Sequence, residues 1–167
     1  ELSPMAAETF SYNFHNEDLA QKAEDESEPD RTYWLTSNFT EKQLNQRLRE
    51  DPRSYPDLIG EGYISDLNTK SFKLGSMVVG SIVTLNDYLE HNPDFLEQLK
   101  LGFGEGEIDV VSGGPPCQSF SLAGLRQRSN DRNTLPWEFA KFVGKVKPKF
   151  AVLENVTGIL RAFSEGD

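Results

Sequence analysis

The chain is predicted to be an α/β protein with a mostly parallel sheet and covering helices. Three observations carry that prediction. A short apolar run at residues 77–83 is bounded by glycine and threonine, as the end of a buried strand is, and residues 108–111 and 150–153 read as two further short strands. Between the last two runs, Leu135, Phe139, Phe142, Val143 and Val146 recur at helical spacing. Strand, loop, amphipathic helix and strand in that order form a βαβ unit, whose two strands run parallel.

The remaining elements follow from local signals. Ser3-Pro4 ahead of Met5-Ala6-Ala7-Glu8-Thr9-Phe10 reads as an N-cap and a proline at the first helical position, and this helix is expected to end near residues 13–16. It has the look of a short helix that follows a strand. Residues 21–32 carry Glu24, Asp25, Glu26, Glu28 and Asp30 with almost no apolar content and are expected to form an exposed loop. Leu44 and Leu48 mark a weak, mostly polar helix at about 41–50. Asp51-Pro52, Tyr55-Pro56, Gly60 and Gly62 then break the chain repeatedly. Asn92-Pro93 caps a helix carrying Phe95, Leu96 and Leu99. Gly102-Phe103-Gly104-Glu105-Gly106 has the glycine content of a phosphate loop. Such a loop must follow a strand and open a helix, so this one reads as a turn into the strand at 108.

Composition excludes several classes. The 167 residues are 37% hydrophobic and 26% charged, an ordinary globular balance. No run approaches the roughly 18 apolar residues of a membrane helix, and the start lacks a signal-peptide pattern. One cysteine makes no internal disulfide. Neither a CxxC pair nor an HxE with a downstream CxxC is present, so no zinc site of the deaminase kind is expected, nor any other metal. The chain is expected in the cytoplasm, at the nucleoid if bacterial, or in the nucleus if eukaryotic. Its first residue is not methionine and it stops soon after a site-like segment, so a piece of a longer protein is expected.

The net charge of −10 argues at first against nucleic acid. It hides an asymmetry: residues 1–110 hold 9 basic and 22 acidic side chains, residues 111–167 hold 8 and 5. Arg126, Arg128, Arg132, Lys141, Lys145, Lys147 and Lys149 face only Asp131 and Glu138 in their stretch. A polyanion would approach that part of the chain, although a solvated helix face also accounts for the charges taken alone.

The chemistry-bearing stretch is Ser112-Gly113-Gly114-Pro115-Pro116-Cys117-Gln118-Ser119-Phe120-Ser121, at the carboxyl end of the strand at 108–111, where open α/β sheets bind ligands. The glycines permit close approach and the prolines stiffen the segment presenting Cys117. A buried structural cysteine needs neither; a presented nucleophile needs both. Leu153-Glu154-Asn155-Val156 puts an acid at the end of the next strand, beside Cys117 if the two strands are parallel neighbours.

Gly-Pro-Pro-Cys-Gln-Ser-Phe-Ser at 114–121 and Glu-Asn-Val at 154–156 resemble the catalytic domain of the cytosine-C5 DNA methyltransferases. Asp131-Arg132-Asn133-Thr134-Leu135 and the helix ending in Lys147-Pro148-Lys149 resemble the family's intervening segment, and the likeness spans about 108–163. It is weaker at Glu1-Leu2-Ser3-Pro4, which resembles the family's acidic strand end and following helix. Residues 16–79 show no family pattern and are expected to be an insertion into one partial catalytic domain spanning 1–167. The resemblance implies a Rossmann-like S-adenosylmethionine-dependent methyltransferase fold whose first strand and C-terminal part lie outside this stretch. A glycine-rich cofactor loop is expected before Glu1 and a target-recognition domain after Asp167, so the 167 residues alone should be inactive.

The resemblance also implies roles. Cys117 is the nucleophile that adds to C6 of cytosine, and Glu154 is the acid that holds a proton at N3. Duplex DNA is the substrate, with the target base flipped from the stack. Residues 121–133 form the loop that closes over it. Pro115, Gln118, Ser121, Arg126, Arg128, Arg132 and Asn155 contact DNA or the flipped base. S-adenosyl-L-methionine is the cofactor: Glu1 takes its ribose hydroxyls, and Pro116 and Leu135 line its pocket. For its adenine two candidates stand open, Ser81 within Gly80-Ser81-Ile82 and Asp66 within Asp66-Leu67. Two other readings are methylation of transfer RNA by the family's RNA-acting branch and a non-catalytic module that binds cofactor or partner. Gln118-Ser119-Phe120-Ser121 favours DNA over RNA.

Overall fold

The computed structural model describes residues 1–58, 63–68, 70–102, 106–116 and 134–156. It divides into two units, residues 1–91 and 92–167.

In the first unit, α1 (Pro4–Phe10) starts where its cap signal lies: Ser3 is extended and its Oγ accepts from the Ala6 amide at 3.4 Å. The chain continues through a π turn (Ser11–His15) and stops at Asn16, whose φ of 53° is left-handed. Asparagine tolerates that conformation better than most residues. The central strand is β2 (Met77–Val79), flanked on both edges. Met77 and Val79 pair in parallel with β1 (Thr32–Trp34), in the register Thr32↔Met77 to Trp34↔Val79. On the other edge the Glu1 amine donates to the Val78 carbonyl at 3.0 Å, and the Glu1 carbonyl accepts from the Gly80 amide at 2.8 Å. Glu1 thus occupies a strand position beside Val79.

Two expectations need correction here. Residues 21–32 are not a continuous exposed loop. Asp18 caps α2 (Leu19–Glu24) by accepting from the Gln21 amide at 2.9 Å, and Leu19 and Ala23 on that helix are buried. All three residues of β1 are buried as well. Gln21, Glu24, Asp25, Glu26, Glu28 and Asp30 are all exposed and outnumber the two buried apolar positions, Leu19 and Ala23. The strand expected at 77–83 ends at Val79. Ser81 then caps α4 (Ile82–His91), its Oγ accepting from the Val83 amide at 3.2 Å and its carbonyl from the Leu85 amide at 2.9 Å. The β-branched pair Ile82-Val83 resembles a strand, but the cap decides the local geometry. A Cβ on Gly80 would come within 2.8 Å of Leu35 Cβ, so a side chain is excluded at this bend.

The helix expected at 41–50 is a 3-10 turn (Glu41–Gln43) leading into α3 (Leu44–Arg47). Leu44 and Leu48 join Ala7, Leu19, Ala23, Trp34 and Val79 in one core, with Tyr55 and Met77 packed against it. Residues between 16 and 79 therefore supply most of this core. Gly60 and Gly62 lie outside the described residues.

In the second unit, α5 (Pro93–Lys100) begins after Asn92 as expected and buries Phe95. Strand β3 (Val110–Gly113) pairs in parallel with β4 (Phe150–Leu153), Val110 opposite Phe150 and Gly113 opposite Leu153. The strand expected at 108–111 is thus displaced toward its carboxyl end, because its bonding follows the partner strand rather than its own apolar run. The connecting helix α6 (Leu135–Val146) follows the expected spacing. It ends at Lys147, left-handed with φ 54°, whose amide donates to the Val143 carbonyl at 2.8 Å. A Cβ on Gly113 would lie 2.6 Å from two ring carbons of Phe139. That glycine lets α6 rest against the end of β3. The turn expected at 102–106 falls partly outside the described residues; Gly102 has a φ of 62°.

Candidate functional site at the carboxyl ends of the parallel strands

Both sheets are parallel, so each presents the carboxyl ends of its strands along one edge. In the second unit that edge brings Glu154 against the glycine-proline arm. The ladder alternates: Phe150 donates to the Asp109 carbonyl at 2.8 Å, and four residues on Glu154 donates to the Gly113 carbonyl at 2.9 Å. The next rung would need a backbone donor at residue 115 for the Glu154 carbonyl. Residue 115 is proline and has none, so the ladder ends there. Past that point a side chain bridges the two strand ends at a different group: Asn155 Nδ2 donates to the Pro115 carbonyl at 3.2 Å, while Asn155 Oδ1 accepts from the Val156 amide at 2.9 Å. A Cβ on Gly114 would lie 3.2 Å from Glu154 Oε2, so the carboxylate lies close against a residue with no side chain. Glu154 itself is exposed at this edge and Asn155 half-buried.

This edge thus brings together Gly114, Pro115, Glu154 and Asn155. Pro116 is exposed and is joined directly to Cys117 in the sequence; Cys117, Gln118, Ser121, Arg126, Arg128 and Arg132 lie outside the described residues. Leu135 is the first residue of α6 and half-buried. Sequence reasoning missed the individual work of the two glycines. Their signal was present as a Gly-Gly pair before the prolines, but only the register shows that one accommodates Phe139 and the other the Glu154 carboxylate.

In the first unit, the Glu1 carboxylate is exposed at the carboxyl end of the strands and its Oε1 accepts from the Ser3 amide at 2.9 Å. Ser81 stands just past the end of β2 on the neighbouring strand. Asp66 does not share that edge. It is 1% exposed, receives Arg47 Nη1 at 3.0 and 2.8 Å on its two oxygens, and accepts the Trp34 amide at 2.9 Å. This corrects its candidacy for adenine: its carboxylate is committed to an interior ion pair and is closed off from a ligand. Of the two open candidates, only Ser81 stands at the strand ends.

The basic stretch is partly neutralised. Lys141 Nζ lies 2.6 Å from Glu138 Oε1, and Lys149 Nζ lies 2.6 Å from Asp109 Oδ1, a hydrogen bond that raises the Lys149 pKa. Among the described residues no group of three or more His, Cys, Asp or Glu could hold a metal ion, and no helix is long and apolar enough to cross a membrane.

Parallel strands that present an acid and a glycine-proline arm at one carboxyl edge define an α/β protein with a strand-end site. The comparisons identify the family. The model of the C-5 cytosine-specific DNA methylases matches residues 81–165, and the chain belongs to that family. It is 52% identical over 54 residues to the Type II methyltransferase M.DdeI of Desulfomicrobium norvegicum, a match covering 32% of this chain and 13% of the relative. It is 54% identical over 55 residues to M.AquIA of Picosynechococcus, covering 32% and 22%, and 41% identical over 73 residues to M.Sau96I of Staphylococcus aureus, covering 43% and 17%. The chain therefore matches less than a quarter of the length of these relatives. No solved structure matches it.

Proposed function

We propose that the protein to which this chain belongs transfers a methyl group from S-adenosylmethionine to C5 of a cytosine in duplex DNA, acting where the DNA is, in a nucleoid or a nucleus. The observation that supports this most directly is the parallel register of β3 and β4, which sets Glu154 against Gly114, three residues before Cys117. The family membership and the names of the Type II relatives agree with it.

The residues suit the chemistry. Cytosine C5 is a weak carbon nucleophile. In the proposal the Cys117 thiolate adds to C6, and the electron pair displaced from the C5–C6 bond is delocalised so that C5 becomes enamine-like. Glu154, as its carboxylic acid, holds a proton at N3 and so stabilises the density that arrives there. When bound, S-adenosylmethionine would supply an electrophilic methyl carbon on a sulfonium; the C5–methyl bond would form as the carbon–sulfur bond breaks, its electron pair staying on sulfur as the neutral thioether that leaves. Loss of the C5 proton to a base and elimination of the Cys117 thiolate restore the aromatic ring. The target atoms are buried in a stacked duplex, so the base must be flipped to meet these groups.

Glu1 fits the cofactor: an exposed carboxylate at the carboxyl edge of parallel strands can accept hydrogen bonds from a ribose diol, with Ser81 on the adjacent strand end as a hydroxyl donor. A Rossmann-like sheet belongs to the same proposal, as does the need for the rest of the protein, including a target-recognition domain, for activity. The test uses the full-length protein with duplex DNA containing 5-fluorocytosine and S-adenosylmethionine, because fluorine blocks the final elimination. Wild type should form a covalent complex and Cys117→Ala none. Labelled methyl transfer to transfer RNA instead of DNA would move the proposal to the RNA substrate.

A further inference from the structure

We propose that Leu35 is a positioning residue for the strand edge that carries Glu1 and Ser81: acting on the single peptide that joins Val79 to Gly80, it fixes where the Glu1 carboxylate and the Ser81 hydroxyl stand. The functional meaning rests on the proposed binding of S-adenosylmethionine at Glu1, while the structural link stands on backbone hydrogen bonds and one side-chain contact.

Two hydrogen bonds meet on one peptide plane. The Leu35 amide donates to the Val79 carbonyl at 2.9 Å, and the Gly80 amide donates to the Glu1 carbonyl at 2.8 Å. The Val79 carbonyl and the Gly80 N–H belong to the same planar trans unit, so its oxygen and its hydrogen point to opposite sides. A rotation of the plane that released Leu35 would turn the Gly80 hydrogen away from Glu1 as well. The Leu35 side chain adds a contact to the bond. It is fully enclosed, and the three atoms nearest a Cβ built on Gly80 are all its own: Cβ at 2.8 Å, Cδ2 at 3.3 Å and Cγ at 3.6 Å. The leucine thus covers the face that glycine leaves bare and seats the bend from which Ser81 departs. On the far side, the Glu1 amine donates to the Val78 carbonyl at 3.0 Å, and the Glu1 carboxylate accepts from the Ser3 amide at 2.9 Å, so the side chain follows its backbone. Hydrogen bonds from hydroxyls to oxygen weaken beyond about 3.0 Å, so a small shift of this peptide is felt by a ligand diol. Leu35 lies outside residues 81–165, the part that the family model matches, so the support comes from a segment beyond that shared part.

The experiment uses the full-length protein and has two independent readouts. The first is calorimetric titration with S-adenosylmethionine in the absence of DNA. Leu35→Ala keeps the amide but removes the side chain that seats it on Gly80, and should raise Kd at least fivefold. Leu19→Ala truncates an equally enclosed leucine of the same unit, whose atoms are not among those nearest Gly80, and should leave Kd within twofold. Both are read at a temperature where circular dichroism shows them folded; if Leu35→Ala does not fold, Leu35→Val takes its place with a rise of at least twofold. In methyl transfer to duplex DNA the same change should appear in KM for S-adenosylmethionine, with kcat within twofold. Unchanged Kd in the Leu35 variant would overturn the proposal, and so would an equal rise in Leu19→Ala, which would reduce Leu35 to general stability. The second readout needs no ligand: amide exchange at Gly80 should be at least tenfold faster in the Leu35 variant than in Leu19→Ala. If the wild type binds no S-adenosylmethionine, the cofactor reading fails by itself, and equal Gly80 exchange in the two variants then overturns the positioning link separately.

Discussion

Asp66 receives the Arg47 guanidinium on both carboxylate oxygens, at 3.0 and 2.8 Å, and both side chains are almost wholly enclosed. The pair also carries the Trp34 amide and places the guanidinium carbon 5.2 Å from the Trp34 ring centre. It therefore joins α3 to the turn at residues 66–68 and to β1. Asp66→Ala should destabilise the protein by about 3–5 kcal/mol, because the remaining Arg47 charge is buried without a counter-charge. Replacing both members, Arg47→Met with Asp66→Leu, should recover most of that loss. Denaturant unfolding of the two variants decides it; a single-variant loss below about 1 kcal/mol would show that water reaches the pair.

Gly113 and Phe139 make a second close relationship, and it leads to a steric prediction. A methyl group at 113 would meet two ring carbons at 2.6 Å. Gly113→Ala should cost about 1–3 kcal/mol through overpacking between β3 and α6. Phe139→Leu in the same chain should relieve part of that cost, giving a favourable coupling in a double-mutant cycle. Strict additivity of the two changes would place the strain elsewhere.

Lys147 closes α6 in a conformation that suits glycine. With φ 54° it pays the left-handed penalty of a side-chain-bearing residue. Lys147→Gly should raise stability by about 0.5–1 kcal/mol, the left-handed relief outweighing the extra freedom of the unfolded chain. Thermal unfolding reads this directly, and a lower Tm would mean that the Lys147 charge at the helix end matters more than its backbone.

Asp51 supplies the pH-dependent case. The Arg53 side chain and amide hold its carboxyl at about 2, below the ordinary value near 4. A lowered carboxyl pKa stabilises the folded chain above the unfolded value, and that contribution is lost as pH falls from about 4 through about 2. Arg53→Gln should move the Asp51 titration upward, toward the ordinary value, in a carboxyl-carbon NMR titration. A midpoint still at about 2 would assign the effect to the backbone amide alone.

The legible part of this protein was local. The βαβ order, the helix at 135–146 and the strand-end placement of Glu154 could be read because each signal lies within a few residues of its consequence: apolar spacing, a cap, a run of glycine and proline. What the tertiary structure decided was every feature that depends on a partner distant in sequence. Three residues, Thr32–Trp34, form a strand only because Met77–Val79 offers its edge, and Asp66 is interior only because Arg47 meets it there. The same holds at the candidate site. Sequence placed an acid and a glycine-proline arm at neighbouring strand ends, but the pairing of β3 with β4 determined which glycine faces the acid. It also showed that Asn155 bonds across where proline ends the ladder. Backbone hydrogen bonds set register, and register is a property of two strands, so no single segment contains it.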